Sequence, residues 1–247
     1  MINTIYIEDE ITDHPRTKKI IERFPSAIII SCTRYTEIFN RKSQNFRLQK
    51  KNPALILAKK HKGMVLPTPK HYGIGAKYNY YFSHMLNCIY DCRYCFLQGM
   101  FRSAHYILFV NYEDFIDEIN STLNKHASDN VHFFSGYDCD SLALDSVSNF
   151  ISDFLPFFEN HQNTLIELRT KSTQIKSLLQ RSSISNCIVA FSFTPNEISK
   201  ALEHKTPSVS KRLEAIIELQ KAGWKIGLRF DPLIYTKTFT KEYNELF

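Results

Sequence analysis

From Tyr106 onward the chain alternates short apolar runs with stretches whose apolar residues recur at helical spacing. The runs are YILFV (106–110), VHFF (131–134), TLIELR (164–169), CIVAFSF (187–193) and KIGLRF (225–230), each of strand length. Between them, helices are predicted from about Tyr112 to Lys125, Ser146 to Phe158, Thr173 to Leu179 and Ser208 to Lys221. Strands without polar alternation are buried on both faces, and amphipathic helices between them imply parallel pairing through right-handed crossovers. A further strand at about 80–87 brings the count to six and predicts an open or incomplete β/α barrel over residues 78–247, an α/β fold. Upstream, residues 14–24 read as a short helix, and AIIIS (27–31) and ALILA (54–58) as buried strands. Residues 1–77 are therefore expected to form a small α/β cap. At the far end KEYNELF (241–247) begins a helix without cap or turn signal, so the chain is expected to be truncated at its C-terminus.

In a β/α barrel, chemistry collects at the C-terminal ends of the strands. There the chain places Ser135 and Gly136, Arg169 and Lys171, Ser192, and Arg229 with Asp231. One polar loop residue means little, because such loops are polar anyway. Their agreement along the sheet predicts a binding rim.

Composition adds limits. With 247 residues, 43% hydrophobic and 23% charged, the chain can bury one substantial core. No apolar run approaches the ~18 residues of a membrane span. The start MINTIYIEDE lacks the basic and apolar regions of a secretion signal, so a cytoplasmic protein without a membrane partner is expected. The net charge of +6 is unevenly spread. Between Glu37 and Asp91 there is no acidic residue and there are ten basic ones: Arg41, Lys42, Arg47, Lys50, Lys51, Lys59, Lys60, Lys62, Lys70 and Lys77. The remainder carries 21 basic against 25 acidic residues. Aromatic residues interleave here, among them Phe46, Tyr72, Tyr78, Tyr80 and Tyr81, which makes segment 41–77 the candidate contact for DNA phosphates and bases.

In a reducing compartment, cysteines are metal ligands, catalytic groups or buried thiols before they are disulfides. Three of the six crowd into CIYDCRYC at 88–95: Cys88, Cys92 and Cys95. Thiolates spaced C-x3-C-x2-C can wrap one face of a metal centre and leave a position open. A structural zinc would need a fourth ligand, for which His84 or His105 would have to serve. A 4Fe-4S cluster on three cysteines leaves one iron for a small chelator.

With Tyr94 before the third cysteine and Phe96 after it, the loop resembles the cluster loop of radical S-adenosylmethionine (radical SAM) enzymes. That resemblance implies a 4Fe-4S cluster, S-adenosylmethionine chelated to the open iron, an external one-electron donor and a 5'-deoxyadenosyl radical. RYCFLQG, SGYDCDSLALD (135–145), ELRTKS (167–172), EHKTPSVSKRLEA (203–215) and GLRFDPLIY (227–235) together resemble the spore photoproduct lyase family over about residues 50–247. The family resemblance implies a partial (β/α)6 barrel and the reversal of a UV-induced thymine dimer in DNA by hydrogen abstraction. It implies Cys88, Cys92 and Cys95 as cluster ligands, and Ser135 and Gly136 as the turn against the methionyl amine. It further implies Lys171 as the cation for the methionyl carboxylate and Ser192 as a second donor to it.

Two departures stand beside it. Family lyases carry a hydrogen-donating cysteine after the third strand; Cys139 stands in that loop, one or two positions out of register. Of two tyrosines flanking the third cluster cysteine, Tyr94 is kept and the other is Phe96, without a hydroxyl to relay hydrogen. The family's C-terminal part is expected beyond Phe247. The alternatives are a divergent radical SAM relative with a non-DNA substrate and a metal-stabilised nucleic acid binding module without turnover.

Overall fold

The structure, a computed structural model, describes residues 2–70, 72–161 and 163–247. Strands β1 (Thr4–Glu8) and β2 (Ile28–Cys32) open the chain in parallel, joined through the helix Pro15–Ile21, and β3 (Leu55–Ala58) lies parallel on the other side of β1. Next come an antiparallel pair, β4 (Val65–Pro67) and β5 (Tyr78–Phe82), and two short strands, β6 (Met85–Leu86) and β7 (Asp91–Cys92). β8 (Tyr106–Phe109) pairs parallel with β3 and antiparallel with β6, completing a five-stranded sheet in the order β2-β1-β3-β8-β6. β9 (Val131–Ser135), β10 (Thr164–Thr170), β11 (Cys187–Ser192), the short β12 (Glu203–His204) and β13 (Lys225–Arg229) follow. The second sheet has the order β13-β11-β10-β9-β5-β4, while β7 and β12 pair only with each other. The result is an α/β fold with two mixed, mostly parallel sheets.

Burial explains the second sheet. Every residue of β9 is buried, as parallel strands covered on both faces require. The helix Tyr112–Lys125 buries Tyr112, Phe115, Ile119 and Thr122, one stripe at helical spacing. The helix Val209–Lys221 is capped by Ser208, whose Oγ accepts from the Lys211 amide at 3.3 Å. One hydrophobic cluster runs from Ile5 and Leu55 in the first sheet to Phe133, Leu168 and Val189 in the second, so the two sheets share a core. No helix among the described residues is long and apolar enough to cross a membrane.

Several expectations are corrected. YILFV does not join the β/α repeat: as β8 it lies in the N-terminal sheet, because an apolar run carries no record of its partner. The second sheet therefore has five parallel strands, and its sixth member, β4, is antiparallel. AIIIS is not a buried strand but the edge of its sheet, with Ile28 65% exposed. The helix expected over 146–158 breaks into Asp145–Ser148, Phe150–Phe154 and Pro156–Glu159. Asn149 takes a left-handed φ of 52°, and Pro156 supplies no amide hydrogen. The helix expected from Thr173 shrinks to Lys176–Leu179. Local bonds win there: Ser172 donates its amide to Thr170 Oγ1 at 2.8 Å, and Gln174 donates to Ser172 Oγ at 3.0 Å. The terminal helix runs Phe239–Leu246.

Candidate active site

A cavity of about 360 Å³ opens where β9, β10 and β11 end. Its wall joins Cys88, Cys92 and Cys95 to Gly136, Lys171, Ser192, Tyr94 and Cys139. Ser135 stands apart from them. Its hydroxyl shares a hydrogen bond with Ser141 Oγ at 2.7 Å and reaches the Glu167 carbonyl at 3.3 Å, so it is turned into the sheet. Of the remaining expected rim residues, Arg169 and Asp231 line the cavity, whereas Arg229 does not and donates from Nε to Glu167 at 3.1 Å.

The cysteine loop has little secondary structure of its own and is held from outside. Asn87 enters it at a left-handed φ of 68°, a conformation asparagine tolerates, and donates its amide to the Ser103 and His105 carbonyls, each at 2.7 Å. The Lys50 ammonium donates to the Cys88 carbonyl at 2.7 Å, and Arg47 donates to Asp91 at 2.9 Å. Inside the loop the Cys95 amide donates to the Cys92 carbonyl at 3.0 Å. On its far side β7 pairs with β12, and the Arg93 amide donates to the Leu202 carbonyl at 2.8 Å.

Opposite the thiols, the loop after β9 is fixed by Asp140. Its carboxylate accepts from the Leu142 and Ala143 amides at 3.0 and 2.9 Å, from Thr170 Oγ1 at 2.7 Å and from the Lys171 amide at 2.7 Å. Burial still pushes its carboxyl above the ordinary value, against those four bonds, which favour the anion. Gly136 turns at a φ of 78°, and a side-chain carbon there would stand 2.5 Å from Ser141 Oγ. Only glycine brings the main chain to the wall at this point. The Lys171 ammonium stands 3.8 Å from Glu203 and 5.7 Å from the centre of the Tyr94 ring.

Burial pushes all three cluster-loop thiols up, Cys92 to about 12. A metal must therefore displace their protons. Three thiols facing one space suit an iron-sulfur cube, in which each cysteine takes a different iron. Zinc instead asks four donors to converge on one point; among the described residues no group of three or more His, Cys, Asp or Glu does so. The two histidines weighed for zinc are engaged elsewhere. His84 stacks on Phe150 at 3.9 Å, and His105 Nδ1 accepts from the Ala54 amide at 3.0 Å.

The basic segment is less uniform than its composition. Beyond Lys50 and Arg47, Lys77 pairs with Asp129 at 3.2 Å, Lys59 with Asp114 at 3.7 Å, and Lys60 lies 5.2 Å from the centre of the Phe109 ring. Sequence reasoning missed Lys50, Asn87, Asp140 and Glu203, which hold the cysteine loop, the Asp140 loop and Lys171. Asp140 and Glu203 lie inside motifs that were legible, but the bonds that tie them to the cavity wall, from Thr170 and the Lys171 amide and from Tyr94, come from partners distant in the chain, so no local spacing marks them.

Comparison with known proteins bears on the family and the fold. The model of the spore photoproduct lyase family matches residues 1–247. The spore photoproduct lyase of Bacillus subtilis (strain 168) is 22% identical over 248 residues, covering 98% of this chain and 71% of its own length. That of Clostridium acetobutylicum is 24% identical over 169 residues, covering 68% of this chain and 50% of its own. Among solved structures, a spore photoproduct lyase mutant with bound AdoMet and dinucleoside spore photoproduct matches with a TM-score of 0.88 at 19% identity, over 100% of this chain and 72% of that one. A further mutant of that enzyme matches at 0.87 and 20% identity, with the same coverage. Likeness at such identity speaks for the fold; with the family match over the whole length, the chain belongs to the spore photoproduct lyase family.

Proposed function

We propose that this protein is a cytoplasmic radical SAM enzyme in which Cys88, Cys92 and Cys95 hold a 4Fe-4S cluster, and that it acts on a UV-damaged thymine dimer in DNA. The observation that carries the reading is one cavity walled by all three cysteines together with Gly136, Lys171, Ser192 and Cys139. Held by these cysteines and reduced by an external one-electron donor, a cluster would supply the electron that splits S-adenosylmethionine into methionine and a 5'-deoxyadenosyl radical. The chain's own residues hold and orient. The Lys171 ammonium, against Glu203, is the cation for the methionyl carboxylate, and the Ser192 hydroxyl is a second donor to it. The Gly136 turn, with the main chain of Ser135, approaches the methionyl amine. Cys139 is 7% exposed, and burial holds its thiol well above the ordinary value, so its S–H bond stays intact for hydrogen donation. Tyr94 lines the same cavity, and its hydroxyl donates to Glu203. The second sheet, with five parallel strands and the antiparallel β4, is read as a partial β/α barrel one parallel strand short of (β/α)6, with residues 1–77 apart from β4 as its cap and β6 and β8 crossing back to the cap's sheet.

A second reading keeps the chemistry and changes the substrate. Phe96, 55% exposed in the cavity wall, has no hydroxyl for the relay, and several basic side chains of segment 41–77 are already paired within the chain.

The test is anaerobic reconstitution followed by incubation with reductant, S-adenosylmethionine and UV-irradiated DNA. The first reading expects about four irons and four sulfides per chain, 5'-deoxyadenosine and restored thymines. Cofactor cleavage without restored thymines selects the second. Cys92→Ala is expected to abolish 5'-deoxyadenosine formation, and retained cleavage would refute the ligand assignment.

A further inference from the structure

We infer that the buried ion pair Glu203–Arg212 is a positioning unit that holds the cysteine loop against the ends of β10 and β11, so that Tyr94, Lys171 and Ser192 face one cavity. This rests on the cluster reading proposed for Cys88, Cys92 and Cys95.

Both side chains are fully buried, and neither belongs to the cavity wall, so they act through other residues. Arg212 uses its whole fork. It donates from Nε to the Pro207 carbonyl at 3.0 Å, from Nη1 to the Ser192 carbonyl at 3.0 Å, and from Nη2 to Thr206 Oγ1 at 2.9 Å and to the Glu203 carboxylate. Glu203 also accepts from the Tyr94 hydroxyl, from Thr194 Oγ1 at 3.1 Å and from Ser199 Oγ at 2.9 Å, with the Lys171 ammonium 3.8 Å away. The main chain repeats the link, since Glu203 of β12 faces Cys92 of β7 in antiparallel register.

Three elements of the wall therefore converge on one pair: the cysteine loop through Tyr94 and Cys92, the end of β10 through Lys171, and the end of β11 through Ser192. Stability alone does not account for a buried pair, because well-packed apolar residues of similar volume often serve as well or better. Apolar contacts have no direction, whereas a carboxylate and a guanidinium fork fix the angles of every group bonded to them. Supporting partners of this kind tune what the ligating residues do, and losing one costs roughly 10- to 100-fold in affinity or activity at metal sites.

The test uses Glu203→Gln, which keeps the side chain's shape and loses its charge, and Tyr94→Phe, which removes one bond to it. In the metal-free protein, iodoacetamide alkylation mapped by mass spectrometry reads the loop directly, with fully buried Cys187 of β11 as the internal control for global unfolding. Glu203→Gln is expected to speed alkylation at Cys92 and Cys95 with Cys187 unchanged, and Tyr94→Phe, which leaves the charge beside Cys92 in place, to act in the same direction and less; no change at Cys92 and Cys95 in Tyr94→Phe means that lost charge and not lost positioning moved the rate. After reconstitution, Glu203→Gln is expected to keep the wild-type iron content while its affinity for S-adenosylmethionine falls about 10-fold. Unchanged rates at Cys92 and Cys95 in Glu203→Gln overturn the inference, as does Cys187 speeding up in step in both variants. A wild-type chain that takes up no iron overturns the cluster reading instead, and the alkylation rates still decide this one.

Discussion

Lys50 donates its ammonium to the Cys88 carbonyl at 2.7 Å while only 5% of the residue is exposed. Burial pushes its pKa below the ordinary lysine value, and the thiol of Cys88 and the carboxylate of Asp91 act against that push. Lys50→Met keeps the length and loses the donor, leaving a buried carbonyl unpaired at the entry to the cysteine loop. Such a group costs about 1–3 kcal/mol. Urea unfolding should show that loss as a lower midpoint at unchanged slope; an unchanged midpoint would mean that the carbonyl finds another donor. At this scale the identity of a residue is legible in the chain, but the direction in which it points is not. Lys50 reads as one of ten charges on a basic face and turns inward. Cys88, Cys92 and Cys95 were legible because their spacing is itself the signal, whereas Ser135 and Gly136, adjacent in sequence, diverge into a hydroxyl bonded within the sheet and a turn at the cavity wall.

Strand β9 carries His132 fully buried, its ring 4.1 Å from Phe134 and neither ring nitrogen hydrogen-bonded among the described residues. Burial first, and then Arg229 and Arg169, push its pKa from 6.5 to about 4. The folded state therefore takes up this proton only near pH 4, while the unfolded chain takes it up near 6.5. Between those values the unfolded state binds more protons, so stability falls as the pH drops, by up to about 1.4 kcal/mol per unit. His132→Leu removes two orphaned polar atoms at similar volume. It is expected to raise the unfolding midpoint and to flatten the profile between pH 6.5 and 4 relative to the parent, with His84 and His105, both held low by burial, among the groups that supply the acid sensitivity that remains. A variant profile parallel to the parent's would show that His132 does not titrate in that window. The longer apolar strands were legible as strands but not in their partners, whereas β1 and β4 carried no prediction and the strand expected at about 80–87 divides into β5 and β6, in different sheets. β2, β3 and β8 are all short apolar runs, yet β3 is central, β2 is an edge, and β8 belongs to the sheet that began a hundred residues earlier. Pairing is settled by packing over the whole molecule, which a local pattern does not record.

Over the molecule as a whole, the excess of positive charge in segment 41–77 is divided by the fold. Arg47 and Lys50 touch the cysteine loop, and Lys51 follows them directly. Lys59, Lys60 and Lys62 come after β3, whose four residues span about 10 Å from Leu55 to Ala58 and separate the two groups along the chain. Lys59 and Lys60 are drawn to Asp114 and to the Phe109 ring. A nucleic acid strand reaching the cavity from the side of the cysteine loop would meet the first group and miss the second. Lys42→Glu with Lys51→Glu should then weaken binding of UV-irradiated DNA and reduce the slope of log affinity against log salt by about 0.9 for each phosphate that is no longer neutralised. Lys59→Glu with Lys62→Glu should leave that slope unchanged. Fluorescence anisotropy between about 50 and 200 mM salt covers the range in which phosphate neutralisation changes affinity most. Equal weakening by both pairs would mean that net charge steers the DNA without fixed partners. No weakening by either pair would remove the segment from DNA binding and favour the reading in which the same radical chemistry serves a different substrate.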